Sequence, residues 1–351
     1  LSSISFVEFF TNEVARINIR IAMLGNVDAG KSTLSGILTS PPGTKDDGRG
    51  AIRSRVFNFS HEQKNGRTSS IAHEIMGFDA DGKQYVSKQN HNTKKNKIWP
   101  EIVQNSAKII HLLDMCGHEK YLKTTMHGLT SLFPDYCLLV IGANMGISKM
   151  TKEHLGISIA LNLPVIVVFT KIDLAPENVY QDNIKKILKI MKINCQKSPL
   201  LVRTIEDINN VKNNVKSGKI CPIFSISNLE ATGIDLLRYF LSLLPKQVQN
   251  IKMDEGSDLP PIETEVKTKF IVDSRFFCRG VGLILGGTIL RGSIKLEQQM
   301  MFGPCRNGNF RQILIKGIHE NRVPITEAGE MASICVHVKT IGRNAEPIKN
   351  N

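Results

Sequence analysis

The sequence predicts a mainly parallel, doubly wound α/β domain followed by a small antiparallel β-barrel domain. Three observations support this prediction. Short β-branched apolar runs alternate with amphipathic stretches as far as residue 245, which is typical of a parallel sheet covered by helices on both faces. A polar, proline-containing stretch then occupies 246–261. Beyond it, β-type runs punctuated by glycine replace the helical period, and this pattern favours a small antiparallel barrel.

The predicted α/β domain, 1–245, alternates strands and helices. The expected strands are Ile19–Leu24, Lys108–Leu113, Tyr136–Gly142, Val165–Thr170 and Ile223–Ile226. The expected helices are Lys31–Thr39, Glu119–Ser131, Lys149–Leu161, Ile184–Lys192 and Ile234–Leu243. In sheets of this kind ligands bind beyond the carboxyl ends of the strands. Motifs that follow these strands are therefore the candidates for a functional site.

The second half of the chain reads as a linker, 246–261, and a barrel domain, 262–351. The expected barrel strands are Thr268–Phe277, Val281–Leu290, Phe310–Ile318 and Ala332–Val338. The chain begins without an initiator Met and stops soon after the last of these runs. We therefore expect a fragment of a longer protein.

Bulk composition narrows the possible partners. The 351 residues carry a formal net charge of +13, which favours a polyanionic partner such as nucleic acid or a ribosome, although Lys and Asn crowded into surface loops would give the same value. No apolar run is long enough to span a bilayer, so no membrane association is expected. The cysteines form no CxxC pair, and a reducing compartment without a disulfide framework or zinc site is expected. They are Cys116, Cys137, Cys195, Cys221, Cys278, Cys305 and Cys335.

A phosphate-binding motif lies between the first predicted strand and the first predicted helix. Gly25–Ser32 matches GxxxxGK[ST], and this strand–loop–helix context is what a P-loop requires. Backbone N–H groups would wrap the phosphates, Lys31 would reach the β- and γ-phosphates, and the Ser32 hydroxyl would bind Mg²⁺. The residues predicted to bind nucleotide here are Asn26, Val27, Asp28, Ala29, Gly30, Lys31, Ser32 and Thr33.

A second motif, DxxG, ends the strand that begins near Lys108. Asp114 is placed to hold Mg²⁺ through a water molecule, and the Gly117 amide is placed to sense a γ-phosphate. Alone this motif is weak, because it also fits an ordinary turn after a strand. When it follows a P-loop in the chain, it indicates the part of a nucleoside triphosphate site that binds Mg²⁺ and the γ-phosphate.

A third motif, TKID, follows the strand Val165–Thr170 and predicts the base. Guanine offers two adjacent donors, N1–H and the 2-amino group, to the carboxylate of Asp173. Adenine lacks that pair, so the motif favours GTP over ATP and makes the α/β domain a P-loop G domain. The residues predicted to contact the base are Thr170, Lys171, Asp173 and Leu174, with Ser227, Asn228 and Leu229 after the next strand.

At this point the sequence resembles a known group of proteins. The segments GNVDAGKST, DMCGHEKY, TKID and SISN, in this order, resemble the translational GTPases related to elongation factor Tu. Gly66–Ser70 (GRTSS), Gly117–Thr125 (GHEKYLKTT) and Met150–Gly156 (MTKEHLG) further resemble the eukaryotic GTP-binding protein 1 and 2 family. The resemblance covers nearly the whole chain, including the barrel.

The resemblance implies a G domain joined to β-barrels, with a third family domain absent from this fragment. It implies binding of GTP and GDP, hydrolysis assisted by Mg²⁺, and a monovalent cation, K⁺, near Asp28. The implied partners are the ribosome, tRNA or mRNA, with no DNA expected. A cytoplasmic monomer is the corresponding expectation.

The resemblance also implies roles for catalytic residues. His118 occupies the position that orients the attacking water, next to Gly117, with Lys31 on the phosphates. Thr68 is the predicted switch I residue that binds Mg²⁺ and the γ-phosphate, with Ser69 and Ser70 as competitors. The switch I segment, from about Ser40 to Arg67, is long and polar and is expected to be a mobile loop without GTP.

Two residues depart from the elongation-factor pattern. Arg67 stands where an apolar residue of a hydrophobic gate is expected, with Val27 matching the other half. It is either an arginine finger in cis or a phosphate-facing or solvated arginine of this family, and the second interpretation is preferred. Thr170 replaces the usual asparagine of the base motif, which is expected to weaken nucleotide affinity without changing the guanine preference.

Four classes of function fit these motifs. The leading one is a GTPase that acts as a switch on ribosome or RNA partners. The second is a GTP-gated scaffold with negligible turnover, and the third is an RNA-binding protein whose G domain is structural. The fourth is a delivery factor for a special tRNA. Intact Lys31, Ser32, Asp114, Gly117 and His118 favour the first.

Overall fold

A computed structural model of the chain describes residues 16–87, 95–247, 268–305 and 308–341. The predicted linker, 246–261, therefore lies outside the described residues except for Lys246 and Gln247. The first fifteen residues of the predicted G domain and both ends of the predicted barrel domain also lie outside them.

The α/β part contains a mixed sheet flanked by helices. Its strands are β1 (Ile17–Gly25), β2 (Ala72–Phe78), β3 (Gln84–Tyr85), β4 (Lys108–Asp114), β5 (Tyr136–Gly142), β6 (Val165–Thr170), β7 (Ser198–Leu201) and β8 (Ile220–Ser225). Its helices are α1 (Lys31–Leu38), α2 (Ala51–Val56), α3 (Ser60–Asn65), α4 (Lys95–Gln104), α5 (Leu122–Ser131), α6 (Lys149–Ala160), α7 (Glu177–Lys189), α8 (Ile205–Val211) and α9 (Ile234–Leu243). None of the helices that the structure describes combines the length and the apolar character needed to cross a bilayer.

The eight strands are ordered β3-β2-β4-β1-β5-β6-β8-β7. All neighbouring pairs are parallel except β2 with β4 and β2 with β3. Strands β5 and β6 are buried along their whole length, because helices cover both faces of the sheet. The predicted mainly parallel, doubly wound class is confirmed. Its carboxyl ends bring the loops after β1, β4, β6 and β8 to one edge.

The switch I segment is structured differently from the predicted loop. It contains two short helices, α2 and α3, each six residues long. These two helices were not predicted from the sequence, and the expected mobility of the segment without GTP stays a prediction. Helices this short are marginal on their own, so contacts with the rest of the domain must stabilise them. One such contact, made by Glu62 of α3, is described below.

Two predicted elements are displaced in the structure. The helix expected at Ile184–Lys192 begins earlier, as α7 at Glu177, and passes into a π-helical turn at Ile190–Asn194. The strand expected at Ile223–Ile226 ends earlier, as β8 at Ser225. Strands β2 and β7 and helices α4 and α8 had no counterpart in the prediction.

The second part of the chain is an antiparallel β-domain, as predicted. Its strands are β9 (Lys269–Cys278), β10 (Gly282–Arg291), β11 (Ile294–Lys295), β12 (Gln299–Phe302), β13 (Arg311–Glu320), β14 (Val323–Ile325), β15 (Glu327–Ala328) and β16 (Ser333–Thr340). The main sheet is ordered β12-β13-β16-β10-β9, with β14 paired to β13 and a separate β11–β15 ladder. Alternate apolar side chains of these strands form its core.

A buried arginine joins the two parts. Arg20 of β1 donates through Nη1 to the Leu132 carbonyl (2.7 Å) and the Thr288 hydroxyl (3.1 Å), and through Nη2 to the Met331 carbonyl (2.7 Å). Leu132 directly follows α5, whereas Thr288 and Met331 belong to the β-domain. The Arg20 backbone N–H donates to the carboxylate of Asp135 (2.8 Å). One guanidinium therefore connects the C-terminal end of α5 to the β-domain.

Replacing Arg20 with methionine is expected to lower the free energy of unfolding by about 2–4 kcal/mol. The reason is that two half-buried carbonyl acceptors lose charged donors, each worth about 1.5–3 kcal/mol, and their partial exposure lets water replace part of that loss. Urea unfolding followed by circular dichroism measures the change. Arg291→Met, at an exposed position of β10, is the control and should stay near the wild-type midpoint. An Arg20→Met midpoint equal to that of the control would show that the contact is energetically neutral.

Candidate nucleotide-binding site

A cavity of about 360 Å³ opens at the sheet edge where the predicted motifs meet. The loop between β1 and α1 forms its floor, and the end of the switch I segment and the loop after β4 form its walls. Its lining residues are Val27, Asp28, Gly30, Lys31, Ser32, Thr33, Arg53, His61, Asn65, Gly66, Arg67, Thr68, Ser69, Gly117, His118, Lys120 and Tyr121. Both the P-loop and the DxxG motif therefore face one cavity.

The P-loop has the backbone geometry that its glycines were expected to provide. Gly30 has a φ of 86° and immediately precedes α1. At Gly25, a Cβ would overlap the carbonyl oxygen of Val140, so that only glycine fits against β5. The Lys31 ammonium donates to the carbonyls of Asn26 (2.8 Å) and Gly25 (3.2 Å). Its charge is thus held across the mouth of the loop, where a phosphate would lie.

Burial lowers the pKa of Lys31 from its ordinary value, and the negative charge of Asp114 opposes that shift. The ammonium and the carboxylate are therefore close enough to compensate one another inside the domain. Such an arrangement favours an incoming group that is itself strongly anionic, because a phosphate would complete the neutralisation of the buried cation.

Three side chains with oxygen atoms that can bind a metal ion, Ser32, Thr68 and Asp114, converge beside Lys31. The Ser32 hydroxyl donates to Oδ2 of Asp114 at 2.5 Å, and the Thr68 hydroxyl lies 2.9 Å from the Ser32 hydroxyl and 3.4 Å from the same carboxylate oxygen. The other oxygen, Oδ1 of Asp114, is buried without a hydrogen-bond partner. Hard oxygen donors with an unsatisfied buried carboxylate oxygen fit Mg²⁺.

The electrostatics of this cluster also fit a cation. Burial raises the pKa of Asp114, while Lys31 and the Ser32 and Thr68 hydroxyls lower it, and Glu62 adds a further raising contribution. Of the three candidates for the switch I ligand, the structure places Thr68 at the cluster. Ser69 and Ser70 instead donate to Glu62, so they are directed away from Asp114.

Gly117 packs directly against the P-loop. A Cβ at this position would lie 2.5 Å from the Lys31 ammonium and 2.8 Å from the Asn26 carbonyl, closer than real side chains approach. The absence of a side chain therefore leaves the Gly117 amide free to face the cavity. His118, next in sequence, is exposed at the cavity's rim and its Nδ1 accepts from the Lys120 N–H at 3.1 Å.

The predicted base-recognition loops lie next to the P-loop. A Cβ at Gly30 would be 3.5 Å from both the Thr170 hydroxyl and the Asn228 amide nitrogen. The Thr170 hydroxyl donates to the Ala29 carbonyl at 2.6 Å, which ties the loop after β6 to the P-loop. Asp173 is exposed, with its carboxylate accessible to a base. Threonine thus retains a direct tie between the two loops despite replacing asparagine.

The loop after β8 is stabilised by hydrogen bonds between its own residues and by one from the first part of the switch I segment. The Ser227 N–H donates to the Thr232 carbonyl (3.0 Å), and its hydroxyl accepts from the Glu230 N–H (3.1 Å). The Asn228 carbonyl accepts from the Asp46 N–H at 2.9 Å. Two other residues predicted to contact the base, Leu174 and Leu229, are 63% and 45% exposed. Lys171 adopts a left-handed backbone conformation with φ of 58°.

Comparison with known proteins agrees with this geometry. A sequence profile described as "Elongation factor Tu GTP binding domain" matches residues 16–246. The chain belongs to the elongation factor Tu GTP-binding domain family. The resemblance to translational GTPases drawn from its motifs is thereby confirmed.

Two relatives resemble the chain along most of its length. GTP-binding protein 1 of Xenopus laevis is 42% identical over 323 residues, which cover 91% of this chain and 47% of that protein. GTP-binding protein 2 of Homo sapiens is 36% identical over 324 residues, which cover 91% of this chain and 51% of that protein. The chain thus spans about half the length of these curated relatives.

A solved structure has the same fold. A bacterial selenocysteine-specific elongation factor, EF-Sec, superposes with a TM-score of 0.60 at 20% sequence identity, covering 93% of this chain and 43% of that one. At this identity the likeness concerns the fold alone. It confirms the order of an elongation factor Tu-type G domain followed by an antiparallel β-domain.

Several residues that line or support the site were not predicted from the sequence. Arg53, His61, Lys120 and Tyr121 line the cavity. Lys120 and Tyr121 lie in the segment GHEKYLKTT of the family resemblance, whereas Arg53 and His61 lie in none of the quoted motifs. His154 of α6 is buried beneath the P-loop, where its Nδ1 accepts from the Gly25 N–H at 3.2 Å. It belongs to the segment MTKEHLG of the family resemblance, which was the one available signal.

His154 is neutral in this position. Burial, reinforced by the positive charge of Lys31, lowers the pKa of His154 to about 4. A neutral ring can accept from the Gly25 N–H through Nδ1, whereas an imidazolium could not. The histidine therefore holds the first glycine of the P-loop in place.

Arg67 is exposed and lines the cavity beside Arg53. Because its side chain is exposed, we expect Arg67→Ala to change intrinsic GTP turnover by less than about threefold, which is small beside the roughly 10³-fold or larger effect of a true arginine finger. Single-turnover hydrolysis without any partner measures this. A loss of about 10³-fold would instead establish the finger.

Proposed function

We propose that the chain is a Mg²⁺-dependent GTPase switch of the translation-factor type, hydrolysing GTP to GDP and phosphate. The observation that carries the proposal is the convergence of Ser32, Thr68 and Asp114 beside the buried Lys31 ammonium. A phosphate site, a hard-cation site and a loop that reaches both meet in one cavity. This combination is what transfer of a γ-phosphoryl group to water requires.

Each residue has a separate part in the proposed reaction. Lys31 and the P-loop amides bind the β- and γ-phosphates, and Gly117 offers its amide to the γ-phosphate. Ser32 and Thr68 would bind Mg²⁺, and Asp114 would hold it through water. When bound, Mg²⁺ neutralises charge on the phosphate oxygens. His118 orients the attacking water, which is a positioning role rather than simple proton abstraction.

The base and a second cation complete the proposed site. Asp173 selects guanine through its two adjacent donors, and Lys171, Leu174 and the loop at 227–229 surround the base. K⁺ beside Asp28 is part of the proposal, supported by an exposed carboxylate at the cavity, in a left-handed conformation with φ of 58°.

The proposed partners are the ribosome, tRNA or mRNA in the cytoplasm. Two observations support them. The chain carries a formal net charge of +13, which favours polyanions. It also belongs to the family of the elongation factor Tu GTP-binding domain and has the fold of a selenocysteine-specific elongation factor.

The test is GTP turnover by the chain with and without purified ribosomes, at fixed Mg²⁺ and salt concentration. The proposal predicts slow intrinsic hydrolysis that ribosomes accelerate by orders of magnitude. GTP binding with background turnover under both conditions would contradict it and support the GTP-gated scaffold. RNA binding that is equally tight with GTP and GDP would support the RNA-binding alternative instead.

The scaffold alternative has one observation in its favour. His118 is exposed at the cavity, and its Nδ1 already accepts from the Lys120 N–H. Such a histidine either awaits a partner that moves it or never acts in hydrolysis. The ribosome comparison distinguishes the two, because only the first gives a stimulated rate.

A further inference from the structure

Glu62 is a carboxylate in an unusual position. It lies on α3 within the switch I segment, and it is completely buried, with 0% of its surface exposed. Burying a carboxylate is costly unless hydrogen bonds or opposite charge compensate it. A residue type that is almost never fully buried therefore requires an explanation in this otherwise polar segment.

The compensation comes from donors on both sides of α3. Oε1 of Glu62 accepts from the backbone N–H groups of Ser69 (2.7 Å) and Ser70 (2.9 Å) and from the hydroxyls of the same two residues (2.9 and 3.0 Å). Oε2 accepts from the N–H groups of Asn58 (3.0 Å) and Phe59 (3.2 Å). Six hydrogen bonds to one carboxylate thus fold residues 58–70 around it.

These hydrogen bonds stabilise the ionised form of the Glu62 carboxylate. Burial raises the pKa of Glu62, but the donors from Ser69 and Ser70 outweigh it and the net pKa is lowered. Glu62 is therefore ionised at neutral pH. Hydrogen bonds to a charged group are about twice as strong as neutral ones, so the carboxylate constrains the chain that follows α3.

The constraint acts one residue away from the cluster of Ser32, Thr68 and Asp114. Ser69 directly follows Thr68, whose hydroxyl lies 2.9 Å from the Ser32 hydroxyl and 3.4 Å from Oδ2 of Asp114. With the N–H of Ser69 held by Glu62, the Thr68 side chain is directed at the cluster. Without that hold, the position of Thr68 would depend on the contacts of its own hydroxyl with Ser32 and Asp114 and on the Cys116 thiol, which donates to the Ser70 carbonyl at 3.5 Å.

We propose that Glu62 is a positioning residue: its buried carboxylate holds switch I closed so that Thr68 reaches Mg²⁺ and the γ-phosphate of GTP. The inference rests on the proposed GTPase function and adds the element that gives the switch its two states. In GDP complexes there is no γ-phosphate for Thr68 to approach. The position that Glu62 gives to Thr68, by holding Ser69 and Ser70, then adds no contact with a γ-phosphate. Glu62 should therefore matter for GTP and not for GDP.

The experiment compares nucleotide affinities and Mg²⁺ dependence in three variants of the chain. Glu62→Gln keeps the size of the side chain, but its amide group would face the Asn58 and Phe59 N–H donors with a donor of its own. Ser69→Ala combined with Ser70→Ala removes two hydroxyl donors and leaves Glu62 intact. Asp47→Asn is the matched control, because Asp47 also accepts three backbone N–H bonds in the switch I segment and is exposed.

For Glu62→Gln we expect at least about tenfold weaker binding of a non-hydrolysable GTP analogue, the loss that one charged hydrogen bond implies. The Mg²⁺ concentration for half-maximal GTP turnover should rise by a similar factor. GDP affinity should stay within about twofold of wild type. The double serine variant should show a smaller shift in the same direction, about threefold or more, and Asp47→Asn should show neither.

Three outcomes separate this inference from the proposed function. If the wild-type chain binds neither nucleotide, the proposed function itself fails. If wild type prefers the GTP analogue in the presence of Mg²⁺ but Glu62→Gln keeps that preference unchanged, the positioning role alone is overturned. Equal loss of GTP-analogue and GDP affinity in Glu62→Gln would also overturn it, because the residue would then support the fold rather than the GTP state.

Discussion

Asp173→Asn is expected to weaken GTP binding by about 10⁴-fold, the loss that follows when the polar groups of a site no longer match those of the ligand. The carboxylate of Asp173 accepts from two adjacent donors of guanine, N1–H and the 2-amino group. An asparagine accepts one of them and presents its own N–H₂ to the other. The variant therefore loses one hydrogen bond and sets two donors against each other.

The same change is expected to create affinity for xanthosine triphosphate. Xanthine has a carbonyl oxygen where guanine has the 2-amino group, so the asparagine amide can donate to it while its oxygen accepts from N1–H. Competition binding with GTP and xanthosine triphosphate measures both effects. Asp182→Asn, at an exposed position of α7 where Asp182 pairs with Lys186, is the control and should keep GTP selectivity. If Asp173→Asn kept wild-type GTP affinity, the loop after β6 would not be the base site.

The parts of the fold that could be predicted are those where burial leaves a clear pattern. Strands β5 and β6 are buried along their whole length and appear as continuous apolar runs, so their bounds were predicted without error. Strand β2 contains His73 and Glu74 within its apolar run, and β7 is a four-residue strand at the edge of the sheet. In both strands the apolar pattern is too short or too interrupted to separate from a loop.

Helices α2 and α3 were missed for a different reason. Each is six residues long, and the sequence of α3, SHEQKN, carries no apolar stripe. Its position depends on Glu62, whose partners Ser69 and Ser70 lie beyond the helix. Contacts of this kind have no fixed spacing, so local propensity and periodicity could not reveal them.

The candidate site shows the same division. Lys31, Ser32, Asp114 and Asp173 could be chosen from the sequence because phosphate, metal and base each require a particular side chain at a fixed distance from a strand end. Glu62 could not, because it contacts none of these ligands and acts only by holding Ser69 and Ser70. Residues that act through another residue are visible only once the chain is folded.

The role of Thr170 needed the structure as well. From the sequence it could only be described as a replacement of asparagine that weakens affinity. In the fold its hydroxyl donates to the Ala29 carbonyl and joins the base loop to the P-loop. The expected loss of affinity stays a prediction, and this hydrogen bond is a reason for it to be small.

His118→Ala is expected to lower ribosome-stimulated GTP turnover by about 10²-fold or more, the cost of misplacing a reacting group. His118 begins the 3₁₀ turn Glu119–Tyr121, is exposed, and receives the Lys120 N–H on Nδ1. Its other nitrogen can therefore carry the proton and donate to, or orient, a water molecule beyond the γ-phosphate. The ring lies at the rim of the cavity, and slow intrinsic turnover is the corresponding expectation.

The decisive comparison is between single-turnover rates at saturating ribosomes for wild type, His118→Ala, His118→Gln and His127→Ala. Glutamine keeps a side-chain group that can hydrogen-bond water, so His118→Gln should retain an intermediate stimulated rate. His127 is exposed on α5, away from the cavity lining, and His127→Ala should behave as wild type. GTP affinity must be measured in each variant, because a loss of binding would lower the rate without involving the water.

If His118→Ala binds GTP normally and keeps the full stimulated rate, hydrolysis is driven by Lys31, Thr68 and Mg²⁺ without this histidine. The attacking water must then be oriented by a group that the ribosome supplies.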